Sequence, residues 1–103
     1  MARKQLQTLT EPMYYILLSL LTPAHGYGVM KTILELTDGR VNVGPGTLYA
    51  LLSRFEKEDI VKKTTVVDNK KFYALTEKGY KILKDEHKRL KKLVYHGDIL
   101  LGE

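Results

Sequence analysis

The sequence predicts a mainly α-helical chain with a two-stranded hairpin, in the order helix, helix, helix, hairpin, helix. Three observations predict it. Apolar residues recur at helical spacing in three early segments and again near the C-terminus. β-Branched residues concentrate between Val61 and Val67. Residues suited to starting or stopping helices fall between these segments.

Thr10 suits a helix N-cap, with Glu11 and Pro12 in a first turn where proline is tolerated. The first helix runs to about Leu21, where Thr22-Pro23 stops it. It is apolar nearly all round, with Met13, Ile16, Leu17, Leu20 and Leu21 on one side and Tyr15 and Leu18 on another. Such a helix is buried on several sides, one of which can face another subunit. A second helix opens near Gly26-Tyr27-Gly28, carries Val29, Met30, Ile33, Leu34 and Leu36, and ends at Asp38-Gly39. Residues 40–43 form a short extended bridge. Gly44-Pro45 starts a third helix that reaches about Lys57.

From Ile60 the pattern changes. Val61, Thr64, Thr65, Val66 and Val67 precede Asp68-Asn69, and Phe72-Tyr73-Ala74-Leu75 follow, which gives two strands around a tight turn. Thr76 then caps a last helix that continues to roughly His96. Three helices and a two-stranded wing make a winged helix-turn-helix over residues 1–75. Residues 76–103 add a C-terminal dimerisation helix and tail within one compact unit.

Composition narrows the function classes. The chain has 103 residues, 44% hydrophobic, enough for one modest core. A core of this size often needs support, and with no cysteine the support is oligomerisation rather than a disulfide. The lack of cysteine also excludes thiolate metal sites and thiol catalysis, and fits a reducing compartment. The first residues are basic but lack the apolar stretch of a signal peptide, and no apolar run is long enough to span a membrane. A cytoplasmic protein with no membrane association is expected. Net charge is +5. Residues 1–10 carry +2, 11–57 carry 0, 58–75 carry +1 and 76–103 carry +2. The excess lies on the N-terminal arm, the hairpin and the last helix, which points to a polyanionic partner.

The third helix carries most of the functional argument. Leu48, Leu51, Leu52 and Phe55 fall on one stripe. The opposite face holds Gly46, Ala50, Ser53 and Lys57, flanked by Thr47, Tyr49 and Arg54. A helix entering the major groove needs little bulk where it meets base edges and donors where it passes phosphates. An ordinary solvated face is the alternative, and it would carry more Glu and Lys than Gly, Ala and Ser.

Three blocks resemble the PadR family of bacterial transcription regulators. They are His25-Gly26-Tyr27-Gly28, the run Gly44-Pro45-Gly46-Thr47-Leu48-Tyr49-Ala50-Leu51-Leu52-Ser53-Arg54-Phe55-Glu56-Lys57-Glu58-Asp59-Ile60-Val61, and Lys71-Phe72-Tyr73-Ala74-Leu75-Thr76-Glu77-Lys78-Gly79. The resemblance covers roughly residues 10–95. It implies a dimeric repressor whose third helix reads a palindromic operator, with Tyr49 facing DNA and Lys70 and Lys71 matching the basic wing. Ala50 stands where the family usually has proline, and the Asp68-Asn69 turn is shorter than in many relatives. A single, short last helix resembles the family's small subgroup. The candidate DNA-binding set is therefore Tyr27, Gly46, Thr47, Tyr49, Ala50, Ser53, Arg54, Lys57, Lys70 and Lys71.

In the hairpin, Lys62, Lys63, Lys70 and Lys71 cluster on paired strands, either to meet phosphates or to protect an exposed strand edge. In the last helix, Leu83, His87, Leu90 and Val94 make a seam, widened by Ile82 and Leu93, that suits pairing between subunits. The same seam can instead close the chain's own core. Its seven basic residues read as a solvated face. The candidate dimer interface is Tyr14, Leu18, Leu83, His87, Leu90 and Val94. His25, His87 and His96 are too scattered for a metal site, and no catalytic constellation or cofactor is expected. The expected partners are double-stranded DNA and a second copy of the chain, with a small-molecule effector left open. The rival reading is a winged-helix protein-interaction module without DNA binding.

Overall fold

A computed structural model describes residues 8–103. The basic residues Arg3 and Lys4 lie outside them. Seven elements follow one another: α1 (Glu11–Ser19), β1 (Ala24–His25), α2 (Gly26–Leu36), α3 (Pro45–Lys57), β2 (Val61–Val67), β3 (Lys70–Leu75) and α4 (Glu77–Leu101).

Local chemistry sets most of the boundaries. Thr10 accepts from the Met13 backbone N–H and Thr76 from that of Gly79, so both threonines cap their helices as expected. Pro45 occupies the first turn of α3, where it has no hydrogen bond to lose. Asp68 and Asn69 both take positive φ, 52° and 63°, the geometry of a type I′ turn whose twist matches the flanking strands. Gly39, at φ 79°, ends the turn after α2.

Three elements differ from the sequence reading. The hairpin is part of a three-stranded sheet of order β1-β3-β2, because Ala24 and His25 pair antiparallel with Tyr73 and Phe72. Two residues are too few to show a strand pattern. The last helix ends at Leu101, not His96, and its 25 residues make it long rather than short. Gly97 remains helical, since one interior glycine costs only about 1 kcal/mol. The stop is Gly102, in the left-handed region at φ 78°. The first helix ends two residues early, with Leu20 as its C-cap.

One apolar core joins the elements. Met13, Ile16, Leu17 and Leu20 of the first helical segment meet Val29 and Ile33 of α2, Leu48, Leu52 and Phe55 of α3, and Ile60, Val61 and Tyr73 of the sheet. Leu83 of α4 also lies in this core, at 3% exposure, so that residue of the seam serves its own chain. A Cβ on Gly79 would overlap the backbone oxygen of Ile60, so glycine there lets α4 start directly against the sheet. Between Lys63 and Val66 the β2–β3 register shifts, a bulge that bends the outer part of the wing. Beyond Val61 every residue of β2 is exposed, so the wing stands clear of the body.

One buried charge fastens the chain's N-terminal side to α4. Glu86 is 3% exposed. Its Oε2 accepts from the Leu9 backbone N–H at 3.1 Å, and both its oxygens accept from Arg89 at 2.8 Å. Arg89 therefore departs from the solvated face expected of it. Lys78 departs too, donating to the Glu58 carbonyl at 2.7 Å. The Arg89 hydrogen bonds hold the Glu86 carboxyl below its ordinary value of 4.5; burial opposes them, and the Leu9 N–H adds to them. A depressed folded value means that the ionised carboxylate contributes stability above about pH 4.5, and that this contribution is lost as pH falls through the folded value. Glu86→Gln is thus expected to cost about 1–3 kcal/mol at pH 7. The deficit should shrink steadily below pH 4.5. Urea midpoints of both proteins between pH 7 and pH 3 check it, and a deficit that does not change with pH counts against this role.

Candidate nucleic-acid interface

The α2–α3 pair and the wing together build one concave surface. The sequence places Leu48, Leu52 and Phe55 on the buried side of α3, at 0–1% exposure, with Leu51 half-buried beside them. That burial turns Gly46, Thr47, Tyr49, Ala50, Ser53, Arg54 and Lys57 outward, and all seven are exposed. Tyr27, Lys70 and Lys71 are exposed as well, so none of the ten candidate residues is lost to the core.

The structure groups most of them. Tyr27, Tyr49, Lys70 and Lys71 line one cleft of about 340 Å³, together with His25, Gly26, Asn69 and Tyr73. Ala50, Ser53, Arg54 and Lys57 line a second concavity with Glu58. Gly46 and Thr47 lie in neither, at the start of α3. Arg54 is not a loose cation: its Nε donates to Glu58 at 3.0 Å. Lys63 leans back on Glu56 of α3 at 3.9 Å.

His25 is a residue of this surface that sequence reasoning missed. Its Nδ1 accepts from the Gly28 N–H at 3.2 Å and so caps α2. Its ring stacks on Tyr27, with centroids 6.4 Å apart and planes 8° apart. The ring also meets the edge of Phe72 on β3 at 5.1 Å. One side chain thereby ties the start of α2 to the wing. Its signals in the sequence are its place immediately before the helix and at the head of the first family-like block, although histidine is not among the favoured caps. Burial, then Glu56 and Tyr49, push the Tyr73 hydroxyl up, so it stays a neutral wall of the cleft.

The other candidate set is divided between α1, which carries Tyr14 and Leu18, and α4. Tyr14, Leu18 and Leu90 are half-buried, and His87 and Val94 are exposed. Two apolar hollows flank Leu90. One is lined by Leu9, Tyr14, Tyr15 and Glu86, the other by His87, Val94, Tyr95 and Asp98. Among the described residues no group of three or more acidic or histidine side chains is placed to hold a metal. No described helix is long and apolar enough to cross a membrane.

Three helices, a short third strand and a projecting wing, with a small-residue helix face turned to solvent, define a winged-helix transcription regulator. Residues 16–85 match the transcriptional regulator PadR-like family, and the chain belongs to that family. A transcriptional regulator from Clostridium thermocellum is 30% identical, with a TM-score of 0.66 over 82% of this chain and 86% of that one. A PadR-like transcription factor from Bacteroides fragilis is 29% identical, with a TM-score of 0.70 over 84% and 86% of the two chains. A winged-helix DNA-binding protein from STIV is 27% identical, with a TM-score of 0.70 over 85% and 97%. The transcriptional regulator YqjI of Escherichia coli K12 is 29% identical over 70 residues, 68% of this chain but 34% of that protein. The chain thus spans about a third of the length of that curated relative.

Proposed function

We propose that this regulator binds duplex DNA as a two-fold homodimer and represses transcription from a palindromic operator. The exposed face of α3 carries the reading. Gly46, Ala50 and Ser53 leave room for base edges, Tyr49 and Arg54 stand at its margins, and one cleft joins Tyr49 to Lys70 and Lys71 of the wing. In this reading α3 enters the major groove and the wing lysines meet the backbone. A dimer seated on a promoter excludes the transcription machinery, which is why repression is the expected outcome. A protein-docking face would present aromatic or aliphatic anchors along its middle, and α3 presents none there.

The dimer is supported by the far half of α4. Leu93, Val94, Tyr95, Ile99, Leu100 and Leu101 are 52–88% exposed within a single chain. Val94 and Leu101 lie seven residues apart on one face of the helix, and so much exposed apolar side chain on one segment marks an interaction site. Gly97 lies amid these residues, and nothing in its own chain comes within 4 Å of where its Cβ would stand. A mid-helix glycine with no internal reason fits the close approach of a second helix.

The test is fluorescence anisotropy with duplex from the gene's own upstream region, against a scrambled duplex of equal length. The upstream duplex should bind at least about 1,000-fold more tightly at physiological salt. Equal affinity for the two would remove the sequence-specific reading. The wing is tested in the same assay. Lys70→Ala with Lys71→Ala should weaken both duplexes about equally and flatten the slope of log K against log salt by about 2. An unchanged slope would mean that the wing does not reach the backbone.

A further inference from the structure

Gly26 has no backbone reason to be glycine. It opens α2 as an ordinary helical residue, and the positive-φ glycines among the described residues are Gly39 and Gly102. The reason lies across the α2–α3 contact. A Cβ at position 26 would overlap Tyr49 Oη and lie 2.6 Å from Cζ and 3.0 Å from Cε1. The tip of the Tyr49 ring thus rests in a notch that only a missing side chain provides. Tyr49 is nevertheless 49% exposed. Its tip sits over Gly26 and its side is open, where it forms one wall of the cleft with Tyr27, Lys70 and Lys71.

We propose that Gly26 is a positioning residue for DNA recognition, acting entirely through Tyr49. The inference rests on the DNA-binding reading above. A free tyrosine on a helix surface samples several χ1 and χ2 wells and would lose that freedom on binding. With the ring tip seated against the first turn of α2, its orientation is set before DNA arrives. The exposed edge then stands at a fixed height beside the small face of α3. His25 supports the same arrangement from below, because it caps the turn of α2 that holds the notch. Any side chain at position 26 would lift the ring and swing it across the groove-facing surface or into the cleft.

The proposal makes a thermodynamic prediction that a purely structural glycine does not. Gly26→Ala alone should weaken binding of the upstream duplex roughly 10- to 100-fold, about as much as Tyr49→Ala alone. The double variant should bind no worse than Tyr49→Ala, because with the ring gone the added methyl has nothing to displace. The double variant also relieves the overlap, so it folds even where Gly26→Ala alone is compromised, and circular dichroism on each protein shows which case holds. Three anisotropy titrations and the wild type complete the cycle. Strong non-additivity in DNA affinity is the expected result. If Gly26→Ala costs the same in both backgrounds, or nothing in either, the inference is overturned while the DNA-binding reading stands. If the wild type binds no duplex at all, it is that reading which fails.

Discussion

Val94→Asp combined with Leu101→Asp is expected to leave a folded monomer at micromolar concentration, with operator binding lost although every DNA-facing residue is intact. Both side chains are exposed within one chain, at 63% and 74%, so neither substitution disturbs the internal core. In the proposed dimer they would bury two carboxylates per chain, four in all, without partners. Each unpaired buried charge costs several kcal/mol. Leu90 is a poorer choice for this test, because it lies between the hollows lined by Leu9 and Tyr14 and by Val94 and Tyr95. Changing it would mix internal packing with association. The effect on DNA follows from geometry. One winged helix reads only a few base pairs, so specificity needs two copies about one helical turn apart, roughly 34–36 Å. Sedimentation equilibrium and circular dichroism on the same samples decide the matter. A wild-type monomer, or a variant that stays dimeric and binds the operator, would sink this interface.

Much of this architecture is legible in the sequence because one periodicity governs each segment. In α3, Leu48, Leu52 and Phe55 repeat on one stripe, and burying them fixes which residues face outward. The exposed set therefore follows from the stripe alone. The wing is readable from Asp68-Asn69, where two residues that tolerate positive φ sit between a β-branched run and the Phe72-Tyr73 segment. What escapes depends on contacts distant in sequence. β1 exists because the two residues before α2 lie beside β3, and nothing local announces it. Glu86 looks like one more charge on a charged helix, yet it is buried against Leu9, 77 residues away. The register of α4 that buries Leu83 turns Glu86 inward as well, and Arg89 supplies the compensating charge one turn later. Arg54 reads as a free donor in the sequence, but Glu58 on the turn that follows already engages it. The notch at Gly26 is likewise a matter of two helices meeting, so the sequence names Tyr49 but not its orientation.

Ala50→Glu with Ser53→Glu is expected to weaken operator binding more than 100-fold while leaving the fold intact. Both positions are exposed on α3, and glutamate is a good helix former, better than serine and only slightly worse than alanine. The carboxylate at position 53 would also lie four residues before Lys57, a spacing that stabilises a helix by a few tenths of a kcal/mol, while the one at position 50 would share Arg54 with Glu58. Stability should therefore stay within about 0.5 kcal/mol of wild type. Binding is another matter. In the major groove the two carboxylates would meet base edges rich in acceptors, flanked by phosphates, with their hydration removed and no cation to replace it. The matched control is Ala50→Gln with Ser53→Gln, which adds the same bulk without charge. If α3 faces DNA, the Glu pair should bind far more weakly than the Gln pair, and added salt should narrow the gap by screening the repulsion. Urea denaturation and anisotropy titrations at two salt concentrations measure both sides of the expectation. Retention of wild-type affinity by the Glu pair would mean that this face of α3 does not touch the operator, and the recognition helix would have to be sought elsewhere in the chain.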